Sequence, residues 1–206
     1  MQNLTSEQKK QLEEKLKSMT PEQINDAIRQ QCLFCKIARG DISCHKIYED
    51  EKVLAFLDIQ PLHPGHVLVI PKEHYSFLTQ LPDDLTSYLF TVVKKITPIV
   101  FELMHAEGIL VIQRNGPSAG QLIPHIHVHI IPTYKGDDVK DFKEREKADE
   151  ADLKNISLEF SNAIKKIYGE NLIPPKSAPQ KQVKKDKIKN TNGKKANLPR
   201  VKPRIP

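Results

Sequence analysis

The stretch His-Ile-His-Val-His at residues 125–129 contains the side chains of this sequence that are best suited to chemistry. In an extended strand alternate side chains share a face, so His125, His127 and His129 should lie together, opposite the apolar residues between them. Near neutral pH an imidazole can act as nucleophile, proton donor or hydrogen-bond donor. Three rings spaced about 6.8 Å apart could follow a phosphate and its attached group.

A metal site is the alternative, because alternating histidines also chelate zinc, copper or nickel, and the spacing alone does not decide. The preceding loop, residues 114–121, favours phosphate. Its two glycines allow backbone amides to approach a ligand, and Arg114, Asn115 and Gln121 offer donors to oxyanions. Loop and strand together indicate a phosphate site.

A second group of reactive side chains is the pair Cys32 and Cys35, whose spacing lets two thiolates bind one tetrahedral metal. Cys44 makes the cysteine total odd, which argues against a disulfide framework, and we interpret it as a small packing residue. A redox pair is the alternative, but it requires a helix N-terminus. The sequence after Cys35 predicts an extended segment instead.

The remaining patterns predict the elements that must position these side chains. Residues 5–31 predict a helical arm, with a capping box at Thr20 and Gln23. Residues 83–105 predict an amphipathic helix, kinked or divided after Thr97 because Pro98 lacks an N–H. Strands are expected at 45–48, 52–57, 66–70, 109–113 and 126–131, and a charged helix at about 149–168.

The charge of the chain is unevenly distributed. The formal net charge is +6, but residues 174–206 contain 11 Lys or Arg and one acid, which leaves −4 for residues 1–173. This basic tail has the composition of a disordered segment, and it could contact nucleic acid non-specifically or serve only as a solubilising extension. No apolar run is long enough to span a membrane and no secretory signal is visible, so we expect a cytoplasmic protein that does not enter a membrane.

The segment from Asn115 to Ile130 resembles the histidine triad (HIT) family, and so do four earlier blocks, in the same order. These blocks are Phe34-Cys35-Lys36-Ile37, Ile47-Tyr48-Glu49-Asp50, Ala55-Phe56-Leu57-Asp58-Ile59 and Gly65-His66-Val67-Leu68-Val69-Ile70-Pro71-Lys72. The resemblance implies an α+β fold, with a five-stranded antiparallel sheet and a long helix, usually paired as a homodimer. We therefore expect an N-terminal helical extension (1–31), a HIT domain (32–136), a C-terminal helical segment (137–173) and a disordered basic tail (174–206).

The resemblance also implies a reaction, with His127 as the nucleophile that forms a nucleotidyl-histidine. The substrate would be a nucleoside 5'-phosphate derivative of adenosine or guanosine type, cleaved at the α-phosphorus. Other family roles fall on residues that hold the phosphate (His66, His129), contact it or its bridging atom (Asn115, Gln121), bond the ribose (Asp58) and form the base slot (Phe34, Ile37, Phe56, Ile59). A subset of the family carries a structural zinc ion, whose ligands correspond to Cys32, Cys35, His74 and His125.

The sequence departs from the family pattern at Leu122, where many members have a hydroxyl residue that touches the phosphate or leaving group.

Phosphoramidates or similar adenylyl compounds are the favoured substrates. Dinucleoside polyphosphates and adenylylated nucleic-acid ends are one alternative, and a non-catalytic module that senses nucleotide is another. His45, His63 and His105 are expected to have no catalytic role.

Overall fold

The computed structural model describes residues 5, 7, 18–137 and 145–173. The helices there are α1 (Pro21–Gln31), α2 (Leu33–Arg39), α3 (Asp83–Leu103) and α4 (Glu150–Tyr168). The strands are β1 (Lys46–Glu49), β2 (Val53–Leu57), β3 (Val67–Pro71), β4 (Gly108–Gln113) and β5 (Val128–Thr133), and 3-10 turns occur at Leu78–Gln80 and Pro117–Ala119. The predicted first part of the helical arm and the predicted tail fall largely or wholly outside these residues.

The strands form one five-stranded antiparallel sheet in the order β1-β2-β3-β5-β4, which confirms the predicted α+β architecture. Strand β5 lies between β3 and β4, and His129 pairs with Leu68 on one side and Ile112 on the other. The prediction that β5 begins at Ile126 is wrong, since the strand begins at Val128. The Ile126 N–H donates to the Tyr75 carbonyl at 2.7 Å, outside the sheet ladder.

One face of the sheet packs against α3 and α4 and forms the main core. Apolar side chains of β2, β3 and β5 meet Leu89, Val92 and Ile96 of α3 and Phe160 of α4, all fully buried. Removing these side chains from water is the main force that fixes both helices to the sheet. Alternate residues of β2 and β3 therefore point away from the helices, toward the face that carries the histidines.

The opposite face is covered by α2, which contradicts the prediction of an extended segment after Cys35. The helix begins because Cys32 caps it: the Cys35 N–H donates to Cys32 Sγ at 3.5 Å and the Lys36 N–H to the Cys32 carbonyl at 3.1 Å. It ends at Gly40 in the left-handed conformation (φ 85°). Cysteine is not among the preferred capping residues, so its sequence signal was weak.

The predicted effect of Pro98 was a kink or a division of the helix, and division is wrong because α3 is continuous over its 21 residues. Pro98 and Lys94, the residue whose carbonyl loses its partner, are both exposed. Water can donate a hydrogen bond to the Lys94 carbonyl. The bond that Pro98 cannot make therefore leaves no buried carbonyl without a partner. The predicted capping box of α1 is confirmed, because the Gln23 N–H donates to Thr20 Oγ1 (3.3 Å) and the Thr20 N–H to Gln23 Oε1 (2.9 Å).

Two glycines with almost the same positive φ allow a matched test of packing. Gly65 (φ 83°) precedes β3, and a Cβ there would lie 2.4 Å from Met104 Sδ, whereas one at Gly40 (φ 85°) would meet nothing within 4 Å. We expect Gly40→Ala to cost about 1–2 kcal/mol, the penalty of the left-handed conformation. Gly65→Ala should cost about 1–3 kcal/mol more through overpacking. Urea denaturation measures both, and equal losses would contradict the predicted close packing at Gly65.

No helix among the described residues is long and apolar enough to cross a membrane.

Candidate active site and metal cluster

The three histidines of residues 125–129 share the face of the sheet that α2 covers, as predicted. The rings of His127 and His129 lie 4.9 Å apart at nearly right angles, and Phe34 of α2 contacts His127 edge-on at 5.2 Å. Ile126 and Val128 point the other way, into the main core. All three histidines are buried, but His127 and His129 still line a cavity, so a ligand there would meet these two rings with little competing water.

The tautomer of His127 follows from one hydrogen bond. Its Nδ1 lies 2.7 Å from the His125 carbonyl oxygen, which can only accept, so Nδ1 carries the proton and donates it. Burial lowers the pKa of His127, which favours the neutral ring. A neutral ring protonated on Nδ1 has its lone pair on Nε2. His127 is therefore held in the form that a nucleophile requires.

A chain of hydrogen bonds orients His66 and His129 in the same way. The Leu62 N–H donates to His66 Nδ1 at 3.2 Å, so the proton of neutral His66 is on Nε2. That nitrogen lies 3.0 Å from His129 Nδ1 and donates to it. The proton of neutral His129 is then on Nε2. His66 thus supports His129 from behind, and His129 presents an N–H donor instead of a lone pair.

Burial of this pair predicts a loss of stability in acid. It lowers the pKa of His66 to about 3 and that of His129 to about 2, below the usual 6.5 of the unfolded chain. Below pH 6.5 the two imidazoles of the unfolded chain therefore bind protons that the buried rings of the folded protein do not bind. We expect each ring to lower the free energy of unfolding by about 2 kcal/mol when the pH falls from 7 to 5.

Urea denaturation at the two pH values checks this expectation. His105→Asn serves as the control, because His105 is exposed and has a positive φ of 48° that asparagine tolerates. This variant should lose as much stability in acid as the wild type. A wild-type stability that does not change between pH 7 and pH 5 would contradict the burial of neutral rings.

The cavity beside the histidines has a volume of about 330 Å³, which is within the usual range for small-molecule sites. Seven of the predicted ligand-binding residues line it: Phe34, Ile37, Phe56, Asp58, Ile59, His127 and His129. Its apolar part lies between α2 and the end of β2. The predicted base slot and the predicted ribose acid therefore open into the same space as His127 and His129.

The structure places three predicted residues outside this lining: His66, which lies behind His129, and Asn115 and Gln121. Gln121 is buried, its Oε1 accepts from the Gly116 N–H at 2.6 Å, and its Nε2 donates to the Ser76 carbonyl at 2.9 Å. Asn115 accepts from the Leu78 N–H at 2.8 Å. Both side chains fix the glycine-containing loop to the segment that follows β3. Their predicted contact with phosphate stays a prediction.

Arg145, which no sequence pattern indicated, also lines the cavity. Its Nη1 lies 2.9 Å from Asp58 Oδ2, and the Asp58 Oδ1 accepts from the Gln60 N–H at 2.9 Å. Burial raises the pKa of Asp58, while the Gln60 amide and the Arg145 guanidinium offset part of this rise. Arg145 lies in a charged stretch far along the chain, and no local pattern distinguishes it from its neighbours.

The predicted metal ligands form a cluster next to the triad. One ligand atom each from Cys32, Cys35, His74 and His125 lies within 4.8 Å of the others. His125 Nδ1 is 3.4 Å from Cys32 Sγ and 3.5 Å from Cys35 Sγ, and His74 Nδ1 is 3.3 Å from Cys35 Sγ. Adjacent ligands of a tetrahedral zinc ion with bonds of about 2.0–2.3 Å are separated by about 3.6 Å.

The surroundings of the cluster also suit a metal ion. The other ring nitrogen of His125 lies 2.9 Å from the Pro71 carbonyl oxygen, the kind of bond that orients metal-bound histidines. The four residues therefore fit a structural zinc ion. Asp58, His66 and His129 form a second group of possible ligands. The His66–His129 hydrogen bond already accounts for the proximity of the two rings, and the bonds from Arg145 and the Gln60 N–H hold Asp58 in place.

Comparison with known proteins identifies the family. A family model described as the HIT domain matches residues 39–136. An uncharacterised HIT-like protein of Methanocaldococcus jannaschii is 42% identical over 139 residues, which cover 67% of this chain and 99% of that protein. The chain belongs to the histidine triad (HIT) family.

Two other similar proteins are informative, one for its activity and one for its bound metal. An adenosine 5'-monophosphoramidase of Candida albicans is 44% identical over 105 residues, 49% of this chain and 69% of that one. The crystal structure of a zinc-bound histidine triad family protein from Mycobacterium smegmatis is similar, with a TM-score of 0.61 and 33% identity. The match covers 69% of this chain and 99% of that one.

Proposed function

We propose that this HIT protein is a nucleotide hydrolase or nucleotidyl transferase that cleaves nucleoside 5'-phosphate derivatives at the α-phosphorus. The observation that carries the proposal is the bond from His127 Nδ1 to the His125 carbonyl, 2.7 Å long, which places the lone pair of a cavity-lining ring on Nε2. The description of the similar Candida albicans protein as a monophosphoramidase supports the substrate class.

In the proposed first step, His127 Nε2 attacks the α-phosphorus, the bond from phosphorus to the leaving group breaks, and the leaving group departs with its electron pair. A nucleotidyl-histidine remains. In the second step, water or another acceptor attacks the same phosphorus, the P–N bond breaks, and the neutral ring is restored. A nitrogen leaving group takes up a proton from solvent as it departs in the first step, and the acceptor's proton returns to solvent in the second.

The neighbouring side chains would stabilise both steps, and each would keep its own protonation state throughout. His129, protonated on Nε2 because His66 donates to its Nδ1, would donate to a phosphoryl oxygen on which charge develops. Phe34 and Phe56, whose rings meet edge-on at 5.8 Å, would form part of the base slot. Asp58 would accept from the ribose hydroxyls.

The proposal includes a structural zinc ion held by Cys32, Cys35, His74 and His125. Two thiolates and two neutral imidazoles are a common ligand set for structural zinc, and all four positions would be filled by protein. Such an ion would provide cross-linking rather than catalysis, since it would join the start of α2 to the residues just before β5.

Phosphoramidates and similar adenylyl compounds are the proposed substrates. The test is the turnover, by the full-length protein, of an AMP-amide, a diadenosine polyphosphate and an adenylylated DNA end, each at low and high salt. We expect the AMP-amide to react fastest. Faster turnover of either other compound would replace the favoured substrate with that alternative. No turnover of any compound, with His127→Ala binding AMP as well as the wild type, would favour the non-catalytic module.

Pairing with a second copy, a cytoplasmic location and contact of the basic tail with nucleic acid stay predictions from the sequence, as does the division of the chain into four segments.

A further inference from the structure

The segment that leads into α4 brings a charged side chain into the cavity beside His127 and His129. Because the proposed function places the nucleotide there, this space is called the nucleotide cavity below. The Ala148 N–H donates to the Ile59 carbonyl at 3.0 Å, which fixes this segment next to the end of β2. Arg145 Nη1 then lies 2.9 Å from Asp58 Oδ2, and the two side chains are only 14% and 12% exposed. An ion pair this well shielded is held more firmly than one at the surface.

The two oxygens of Asp58 are each held by one donor. Oδ1 accepts from the Gln60 N–H and Oδ2 from Arg145, both at 2.9 Å, so the carboxylate cannot rotate freely. Each oxygen has a second lone pair and can accept one more hydrogen bond. A carboxylate fixed in this way presents two acceptor positions to the cavity. Two adjacent hydroxyl groups are the ligand that matches them.

Arg145 also borders a second cavity. Asp58, Arg145 and Leu57 line the nucleotide cavity and also a second cavity, of about 540 Å³, between residues 61–66 and the start of α4. Without the guanidinium, the Asp58 carboxylate could turn toward this second space. It could also lose its charge, because a buried carboxyl without a cationic partner favours the protonated form.

We propose that Arg145 is the positioning residue that makes this site selective for the ribose diol, by holding Asp58 in the orientation that accepts from both hydroxyl groups. The inference rests on the proposed function, since it takes Asp58 to be the residue that faces the sugar. It assigns a specificity role to a residue outside the segment that the HIT model matches.

The test is the affinity of the full-length protein for AMP and for 2',3'-dideoxy-AMP, measured by calorimetry, which does not depend on turnover. We expect the wild type to bind AMP about tenfold more tightly or better, because hydrogen bonds to a charged acceptor are among the strong ones. Arg145→Met, which keeps most of the side-chain length, should reduce this preference to about threefold or less. Arg145→Lys should fall between them.

Two further variants separate positioning from general effects. Lys147→Met removes a charge from the same segment, at an exposed residue that does not line the nucleotide cavity, and should keep the wild-type preference. Asp58→Asn should lose the preference, and adding Arg145→Met to it should change nothing more. Melting temperatures identify any variant that fails to fold.

Two results would overturn the inference. One is a preference for AMP that survives Arg145→Met, including the case in which both affinities fall equally, and the other is a wild type that binds both nucleotides equally. If the wild type still forms the His127 adduct in either case, the proposed function stands and only the role of Arg145 fails. A protein that neither binds AMP nor forms the adduct would contradict both.

Discussion

His127→Ala is expected to lower kcat for an AMP-amide by about 10³-fold or more, because the variant lacks the atom that forms the covalent intermediate. The AMP affinity should change much less, since the apolar slot and Asp58 stay in place. Single-turnover kinetics with calorimetric binding of AMP would measure the two effects separately. The alanine also leaves space beside Phe34, which contacts the ring at 5.2 Å.

His45→Gln is a suitable control for this experiment. His45 does not line the nucleotide cavity, and its Nε2 lies 3.2 Å from the carboxylate of Glu150 at the start of α4. We expect its kcat to remain within about twofold of the wild type, in keeping with the prediction that this histidine has no catalytic role. A His127→Ala protein that folds and turns over at the wild-type rate would exclude covalent catalysis by this residue.

Cys35→Ser is expected to remove most of the bound zinc and to lower the melting temperature by about 10 °C, roughly 3 kcal/mol for a chain of this size. The reason is geometric. Cys35 Sγ lies within 3.5 Å of both His74 Nδ1 and His125 Nδ1, so its loss removes the ligand that contacts both rings. Elemental analysis of protein purified without added metal, with a thermal melt, measures both effects.

Cys44→Ser controls for the general effect of replacing a cysteine. Cys44 is half-buried against the cluster of apolar residues under α2 and does not belong to the group of possible metal ligands. It should keep its zinc and lose about 1 kcal/mol or less. One zinc ion per chain in Cys35→Ser, or none in the wild type, would contradict the four-ligand site.

The sequence was sufficient where one physical rule dominates. Alternation along residues 125–129 fixed which side chains share a face, because burial of Ile126 and Val128 in the main core forces the histidines to the other side. The amphipathic spacing over residues 83–105 likewise located α3. These features depend only on local periodicity and on one apolar face.

The sequence was insufficient where an unusual local cap or a long-range contact decides. The extended segment expected after Cys35 is a helix, because a thiol cap at Cys32 and a left-handed Gly40 outweigh the local pattern. The bonds of Gln121 to Gly116 and Ser76 could not be predicted either, because only the folded chain brings Ser76 near. Arg145 reaches Asp58 across 87 positions of sequence. No periodicity encodes a contact of that length.

The most direct test of the account is to trap the intermediate and locate it. Protein mixed with excess AMP-amide would be quenched in alkali within one turnover, because P–N bonds to histidine break in acid, and then digested for mass spectrometry. We predict a single adenylyl group on the peptide that contains residues 125–129. It should be attached to His127 and absent from the His127→Ala protein. Turnover without any adduct, or an adduct on a different residue, would contradict the account.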